Sequence, residues 1–296
     1  MTTITAEAPL AMLLRVLKLP TIARHADEIA AIAERDGWTF GHYLRHLIVL
    51  ELEERKRRRI ERNQRDSELP GEKTLATLDR KRLPPAVAKL LPTLCEGAFL
   101  DRGDNVLLFG LPGRGKTHVV CAIGHELIRR GHRVLFTPTY ALVQRLLAAK
   151  RDLRLEKELD NLDGYDAVIL DDIGYVQQNR DEMEVLFTFL AARYELRSVL
   201  ITSDLVFSEW NRIFKDPITT AAAIDRLVRH ATILEMAGPS IRAEEARKEI
   251  ATTPTTTTPT TTTPTTRTPT TTTPTTTTST TTTPDSQPST MEAGEM

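Results

Sequence analysis

Hydrophobic positions follow two regimes along the chain. Up to about residue 62 they recur with helical spacing. Leu10, Leu13, Leu14 and Leu17 lie at i, i+3, i+4 and i+7, and Ile22, Ala26, Ile29 and Ala33 extend a similar stripe. Gly37 ends one helix and Thr39 caps the next, whose apolar face carries Tyr43, Leu44, Leu47, Ile48 and Leu52. Pro70-Gly71 is the first strong breaker, and Pro84-Pro85 and Pro92 punctuate the connection that follows. From Asn105 onward, short apolar runs alternate with helical stretches. Residues 106–109, 134–136, 167–170, 199–201 and 232–234 read as buried strands, with helices over 118–130, 139–150, 180–196 and 218–229. Repeated strand–helix units predict an α/β fold: a parallel five-stranded sheet sandwiched by helices, preceded by a small all-helical N-terminal domain.

The pattern stops at residue 251. Residues 252–283 are almost pure Thr and Pro, interrupted by Arg267 and Ser279. Units of this kind have no apolar face to bury, so the segment is expected to be disordered. The chain therefore divides into a helical domain (1–68), an α/β domain (69–250) and a Thr/Pro-rich tail (251–296).

Composition sharpens this division. The 296 residues are 40% hydrophobic overall, and the figure rises to about 46% once the tail is set aside, normal for a globular core. Two cysteines, Cys95 and Cys121, exclude a disulfide scaffold and a four-thiolate zinc site. Cys121 reads as a buried filler, and Trp38, Phe40 and Tyr43 as core of the N-terminal domain. No run approaches the ~18 apolar residues of a membrane span. The N-terminus lacks the basic region of a secretion signal, so a cytoplasmic location without membrane partners is expected.

Charge is balanced, 39 Lys+Arg against 40 Asp+Glu, but it is unevenly placed. Arg55, Lys56, Arg57, Arg58, Arg59, Arg62 and Arg65 crowd eleven positions, opposed within that window only by Glu61. Such a run is a candidate phosphate-contacting footprint for double-stranded DNA, and equally a solvated helix face. Lys150, Arg151, Arg154 and Lys157 form a second candidate DNA contact, offset by Asp152, Glu156 and Glu158, and equally a surface of i,i+4 pairs.

Two motifs carry chemistry. Gly110-Leu111-Pro112-Gly113-Arg114-Gly115-Lys116-Thr117 matches G-x-x-x-x-G-K-[ST], leaves an apolar strand and enters a helix. Its glycines let backbone N–H groups converge on phosphate oxygens, assisted by the helix N-terminus. Lys116 is placed to reach the β/γ-phosphates and the Thr117 hydroxyl to ligate Mg2+. Asp171-Asp172 closes another apolar strand. Asp171 there suits the Mg2+ shell and Asp172 a base for the attacking water. Together these predict an ATP site using Mg2+, with Gly110, Pro112, Gly113, Arg114, Gly115, Lys116, Thr117 and His118 around the nucleotide. His118 reads as a structural neighbour of the phosphates rather than a catalyst.

With both motifs placed, residues 10–242 resemble the IstB-like ATP-binding proteins of insertion sequences. These are transposition helper ATPases, related to helicase loaders of the DnaC type within the AAA+ superfamily. The resemblance is carried by Glu72-Lys73-Thr74-Leu75, the phosphate loop, and Asp171-Asp172-Ile173-Gly174-Tyr175. Ile201-Thr202-Ser203-Asp204 with Phe207-Ser208-Glu209-Trp210, and Ala223-Ile224-Asp225-Arg226-Leu227, complete it. It implies an AAA+ P-loop NTPase at 69–250 without the usual helical lid, so that a sensor-2 arginine is not assignable. It implies ATP at the interfaces of a homo-oligomer, Asp204 at a sensor position where relatives commonly carry Asn, and Arg226 as the arginine finger, with Arg212 and Arg229 as rivals. It further implies a cognate transposase as partner and target DNA as substrate surface, or alternatively a helicase for a loader. Because Asp172 stands where most AAA+ proteins carry Glu, slow hydrolysis is expected. A nucleotide-gated DNA scaffold with negligible turnover is the third reading.

Overall fold

The computed structural model describes residues 9–175, 180–210, 217–238, 240 and 242–243. The tail expected at 251–296 lies outside them. Three helices open the chain: α1 (Leu10–Val16), α2 (Pro20–Arg35) and α3 (Phe40–Asp66). The apolar stripe does not continue unbroken from Leu10 to Ala33. Lys18 takes a left-handed φ of 56° and Pro20 starts a new helix, because proline fits the first helical position and not an interior one. Thr39 caps α3 as expected, its hydroxyl accepting the His42 N–H at 3.2 Å.

The N-terminal core is small. Ile22, Ala26 and Leu47 are buried, with Leu14, Leu19, Ile29 and Tyr43 packed against them. A charged group completes it. Helix α2 has no side-chain cap of its own, and Glu51 of α3 supplies one, accepting the Thr21 and Ile22 N–H groups at 2.8 and 3.2 Å. Glu51 is 3% exposed. Burial opposes its charge, but the Arg55 hydrogen bond and the two backbone donors outweigh it and hold the carboxyl below its ordinary value. Two sequence expectations fail here. Leu44, Ile48 and Leu52 stay exposed, because α1 and α2 cover only the Tyr43–Leu47–Glu51 side of α3. Phe40 is 95% exposed rather than core; Trp38 instead stacks on His42.

The Pro-rich connection also departs from its reading as a punctuated loop. It forms α4 (Pro85–Glu96), with Pro85 at the helix start and Pro92 inside. The helix survives its missing donor because Val87, Leu91, Leu94 and Cys95 bury one face against the sheet's helical cover. The sheet comprises β1 (Asn105–Phe109), β2 (Val134–Pro138), β3 (Ala167–Asp171), β4 (Ser198–Ser203) and β5 (Ala231–Glu235). Every pairing is parallel and the order is β2-β3-β4-β1-β5. Between the strands run α5 (Lys116–Arg129), α6 (Thr139–Arg151), α7 (Leu155–Asp163), α8 (Arg180–Arg193) and α9 (Pro217–Val228).

Alternate strand residues serve two cores, as a period of two requires. Val106, Leu108, Ile169 and Leu200 face α4 and α5; Leu107, Phe109, Val168, Leu170 and Ile201 face α6 to α9. Cys121 is fully buried in the first core. Helix α3 ends against that side of the sheet. Asn63 donates to the Gly131 and His132 carbonyls, and the Phe136 N–H bonds the Ser67 carbonyl at 2.7 Å. No helix among the described residues is long and apolar enough to cross a membrane.

Candidate nucleotide-binding site

The strand order places the ends of β1, β4 and β3 side by side, and the functional side chains emerge there. Ligands of open parallel sheets bind at such carboxyl edges. After Phe109 the chain doubles back into α5, and only glycine fits the turn. Gly110 has φ 151°, and a Cβ there would lie 2.5 Å from the Met236 carbonyl oxygen; Gly115 has φ 86° at the N-cap of α5. The orphan N–H groups of the first turn of α5 therefore face the loop.

Pro112, Gly113, Gly115, Lys116, Thr117 and His118 line a cleft of about 290 Å³ together with Asp172, Asp204, Lys73 and Arg242. Arg114 turns aside and donates to the Met236 carbonyl at 3.1 Å. Lys116 is 5% exposed. Its ammonium donates to the Gly110 and Leu111 carbonyls at 2.7 and 3.1 Å and pairs with the Asp204 carboxylate. All three of its N–H donors are thus engaged.

The Thr117 hydroxyl donates to both oxygens of Asp171, at 2.9 and 3.1 Å. A hydroxyl and a carboxylate already in contact at a helix start form the hard-oxygen donor set that suits Mg2+, so these residues fit the ion. Thr202 of β4 buttresses Asp171, donating to Oδ1 at 2.6 Å, while its own oxygen accepts the Asp172 N–H at 2.9 Å. Asp172 sits in the left-handed region with φ 55°, which aspartate tolerates better than most residues. Burial, then the charges of Asp171 and Asp204, push its carboxyl above the ordinary value, opposed by Lys116 and Arg242.

Other expected residues lie apart from this cluster. Arg226 of α9 stacks its guanidinium 4.5 Å over the Phe187 ring of α8, and its Nη1 is buried without a hydrogen-bond partner among the described residues. Arg229 is exposed beside Asp225, and Arg212 falls outside the described residues. The basic run is more neutralised than its window suggests. Arg55 pairs with Glu51, Arg57 with Glu54 and Glu61, and Arg58 with Glu54, all along one helix. Arg59 lies against Gly131. Among the described residues Lys56, Arg62 and Arg65 keep exposed charges without an ion pair. Lys150 pairs with Asp181 and Glu184, and Arg154 with Asp152, while Arg151 is exposed.

Two residues lining the cleft, Lys73 and Arg242, and one buried behind it, Thr202, are absent from the sequence reading of the site. Thr202 and Lys73 lie inside Ile201-Thr202-Ser203-Asp204 and Glu72-Lys73-Thr74-Leu75, but nothing in their local sequence pattern marks a role. Arg242 sits where no sensor arginine was assignable; Ser240 and Arg242 approach Gly113, bringing the segment after β5 to the phosphate loop.

Comparisons with known proteins show the family and the fold of the chain. The family of IstB-like ATP binding proteins matches residues 12–249. An insertion-sequence ATP-binding protein of Sinorhizobium fredii is 45% identical over 241 residues, 81% of each chain. The ATP-binding protein of insertion sequence IS21 from Pseudomonas aeruginosa is 36% identical over 81% of this chain and 90% of its own. Among solved structures, the replication initiator DnaA bound to AMPPCP and single-stranded DNA superposes with a TM-score of 0.50 at 16% identity. That match covers 62% of this chain and 56% of DnaA, and speaks to the fold alone. The chain has an AAA+ fold and belongs to the family of IstB-like ATP binding proteins.

Proposed function

We propose that this protein is a transposition helper ATPase, which assembles with ATP between subunits on double-stranded DNA and presents that DNA to a cognate transposase. The observation that carries the reading is the contact of Thr117 with Asp171 beneath the glycine turn. It joins the phosphate loop to the acidic end of β3 as ATP hydrolysis requires. Bound between these two residues, Mg2+ would neutralise charge on the β/γ-oxygens. Lys116 and the N–H groups of the first turn of α5 hold the phosphate chain. Asp172, aimed by its left-handed backbone and by Thr202, takes the proton of the attacking water. Arg226 completes a neighbouring subunit's site once it swings off Phe187, and its orphaned Nη1 is the donor that would gain an acceptor there.

For DNA, the unpaired cations Lys56, Arg62 and Arg65 are better candidates than Arg57, whose charge is already spent on two glutamates. Neutralising the first three should weaken duplex binding and flatten its salt dependence by about one unit per lost phosphate contact. Neutralising Arg57 should do neither. The central test is ATP turnover with and without duplex DNA, with Lys116→Ala as control, alongside capture of a transposase from the same cell. Turnover that Lys116→Ala leaves intact would overturn the assignment. The Lys116–Asp204 pair favours a second reading, a nucleotide-gated scaffold with negligible hydrolysis. Tight ATP and DNA binding without measurable phosphate release would establish it.

A further inference from the structure

The cleft has an unusual charge balance. Lys116 is taken up by Asp204 and two carbonyls, Asp171 by Thr117 and Thr202, and Asp172 adds another carboxylate. A nucleotide's phosphates bring several more negative charges into this space. Two further cations face it, Lys73 and Arg242. They differ in how they are held. Arg242 is exposed on the segment after β5. Lys73 belongs to a fastened strap, residues 72–77, joining α3 to the α/β core. The Thr77 hydroxyl donates to the Glu72 carbonyl at 2.5 Å and accepts the Thr74 N–H at 3.0 Å. From the first turn of α5, His118 Nε2 lies 3.1 Å from both the Thr74 carbonyl and the Thr77 hydroxyl. His118 thus spends its side chain on the strap and brings Lys73 over the helix N-terminus where phosphates bind.

We propose that Lys73 is a phosphate-binding residue of the nucleotide site, and that the 72–77 strap, clasped by His118, is the wall of the site that closes on ATP or ADP. The present partner of Lys73 is Glu72, 3.5 Å away and largely exposed, a surface pair that costs little to exchange for phosphate. Beyond the strap, Ser67 is bonded to Phe136 of β2, and the Gln64 side chain and Pro70 carbonyl meet His125 of α5. The residue that senses the phosphates therefore lies a few residues from the end of the helix that carries the basic run.

The inference rests on the ATP-site reading, and its test separates the two. ATP and ADP titrations of the full chain compare wild type, Lys73→Gln, Lys73→Arg and Arg242→Gln. Ligand-free melting and hydrogen exchange of residues 72–77 are measured in parallel. Lys73→Gln should weaken both nucleotides about tenfold, ~1.4 kcal/mol. Lys73→Arg should recover most of that, and ligand-free melting should not change. Nucleotide should slow exchange at 72–77 in wild type and not in Lys73→Gln. Wild-type affinity in Lys73→Gln, or a loss found only in Arg242→Gln, would overturn the proposal. Wild type that binds no nucleotide would overturn the ATP-site reading itself.

Discussion

Asp204→Asn tests how the cleft is held when no nucleotide is bound. Asp204 directly follows β4 and pairs with Lys116, whose remaining two donors go to loop carbonyls. Phosphate binding must release this ammonium, and it then leaves an unpaired carboxylate beside the incoming anion. Asparagine keeps an acceptor for Lys116 and removes the charge. A charge-assisted hydrogen bond is about twice as strong as a neutral one, so the free state loses ~1 kcal/mol. Relief of carboxylate–phosphate repulsion, screened by Mg2+ and by an effective dielectric near 20, contributes at least a similar amount. The sum, ~2 kcal/mol, corresponds to ATP binding about thirtyfold tighter. The assay is calorimetric titration with a non-hydrolysable ATP analogue in Mg2+, paired with melting of the free protein. The free Tm should fall by about 2–4 °C for each kcal/mol lost in a fold of this size. Unchanged or weaker binding would refute the argument and assign Asp204 to the nucleotide-bound state instead.

Other perturbations probe the supports of the site and of the helical module. Thr202→Val removes the hydroxyl that orients Asp171 and receives the Asp172 N–H. Like other outer partners of metal ligands, its loss should lower Mg2+-dependent nucleotide affinity about tenfold or more, read as a higher Mg2+ midpoint in the titration. Glu51→Gln should destabilise the N-terminal helices by ~2 kcal/mol at neutral pH, since a charged cap of two backbone donors becomes neutral. Because the folded carboxyl lies below its ordinary value, that stabilisation is complete above the unfolded pKa of about 4.5 and is lost as pH falls through the lower folded value. Urea midpoints of wild type and Glu51→Gln should therefore converge in acid; a gap that stays constant from pH 7 until the protein unfolds in acid well below pH 4 would contradict the capping role.

The sheet was legible because each buried strand is a local apolar run, and the phosphate loop because its constraints are local. Gly110 and Gly115 are required by a turn that spans six residues. Most of what could not be read depended on the packing of other elements. Pro92 looked like a breaker until the burial of Leu91, Leu94 and Cys95 was seen to hold α4 together. The stripe of α3 looked uniformly apolar, yet only the side carrying Leu47 and Glu51 meets α2. The basic run looked almost unopposed because Glu51 and Glu54 precede the window, while helical spacing returns them to Arg55, Arg57 and Arg58.

The same distinction separates the parts of the ATP site. Lys116, Thr117, Asp171 and Asp172 announce themselves by spacing, and the sheet order then brings β1 and β3 to either side of β4. The end of that intervening strand and the residue after it reach both motifs: Thr202 holds the acidic pair and Asp204 holds the lysine. Changes at these two neighbouring positions therefore act on two sites of chemistry that no short motif joins. Because Asp204 engages the lysine and Thr202 the metal-binding carboxylate, the double variant should show additive changes in nucleotide affinity if the two halves respond independently. A coupling energy well above ~0.5 kcal/mol would show that β4 moves them as one unit.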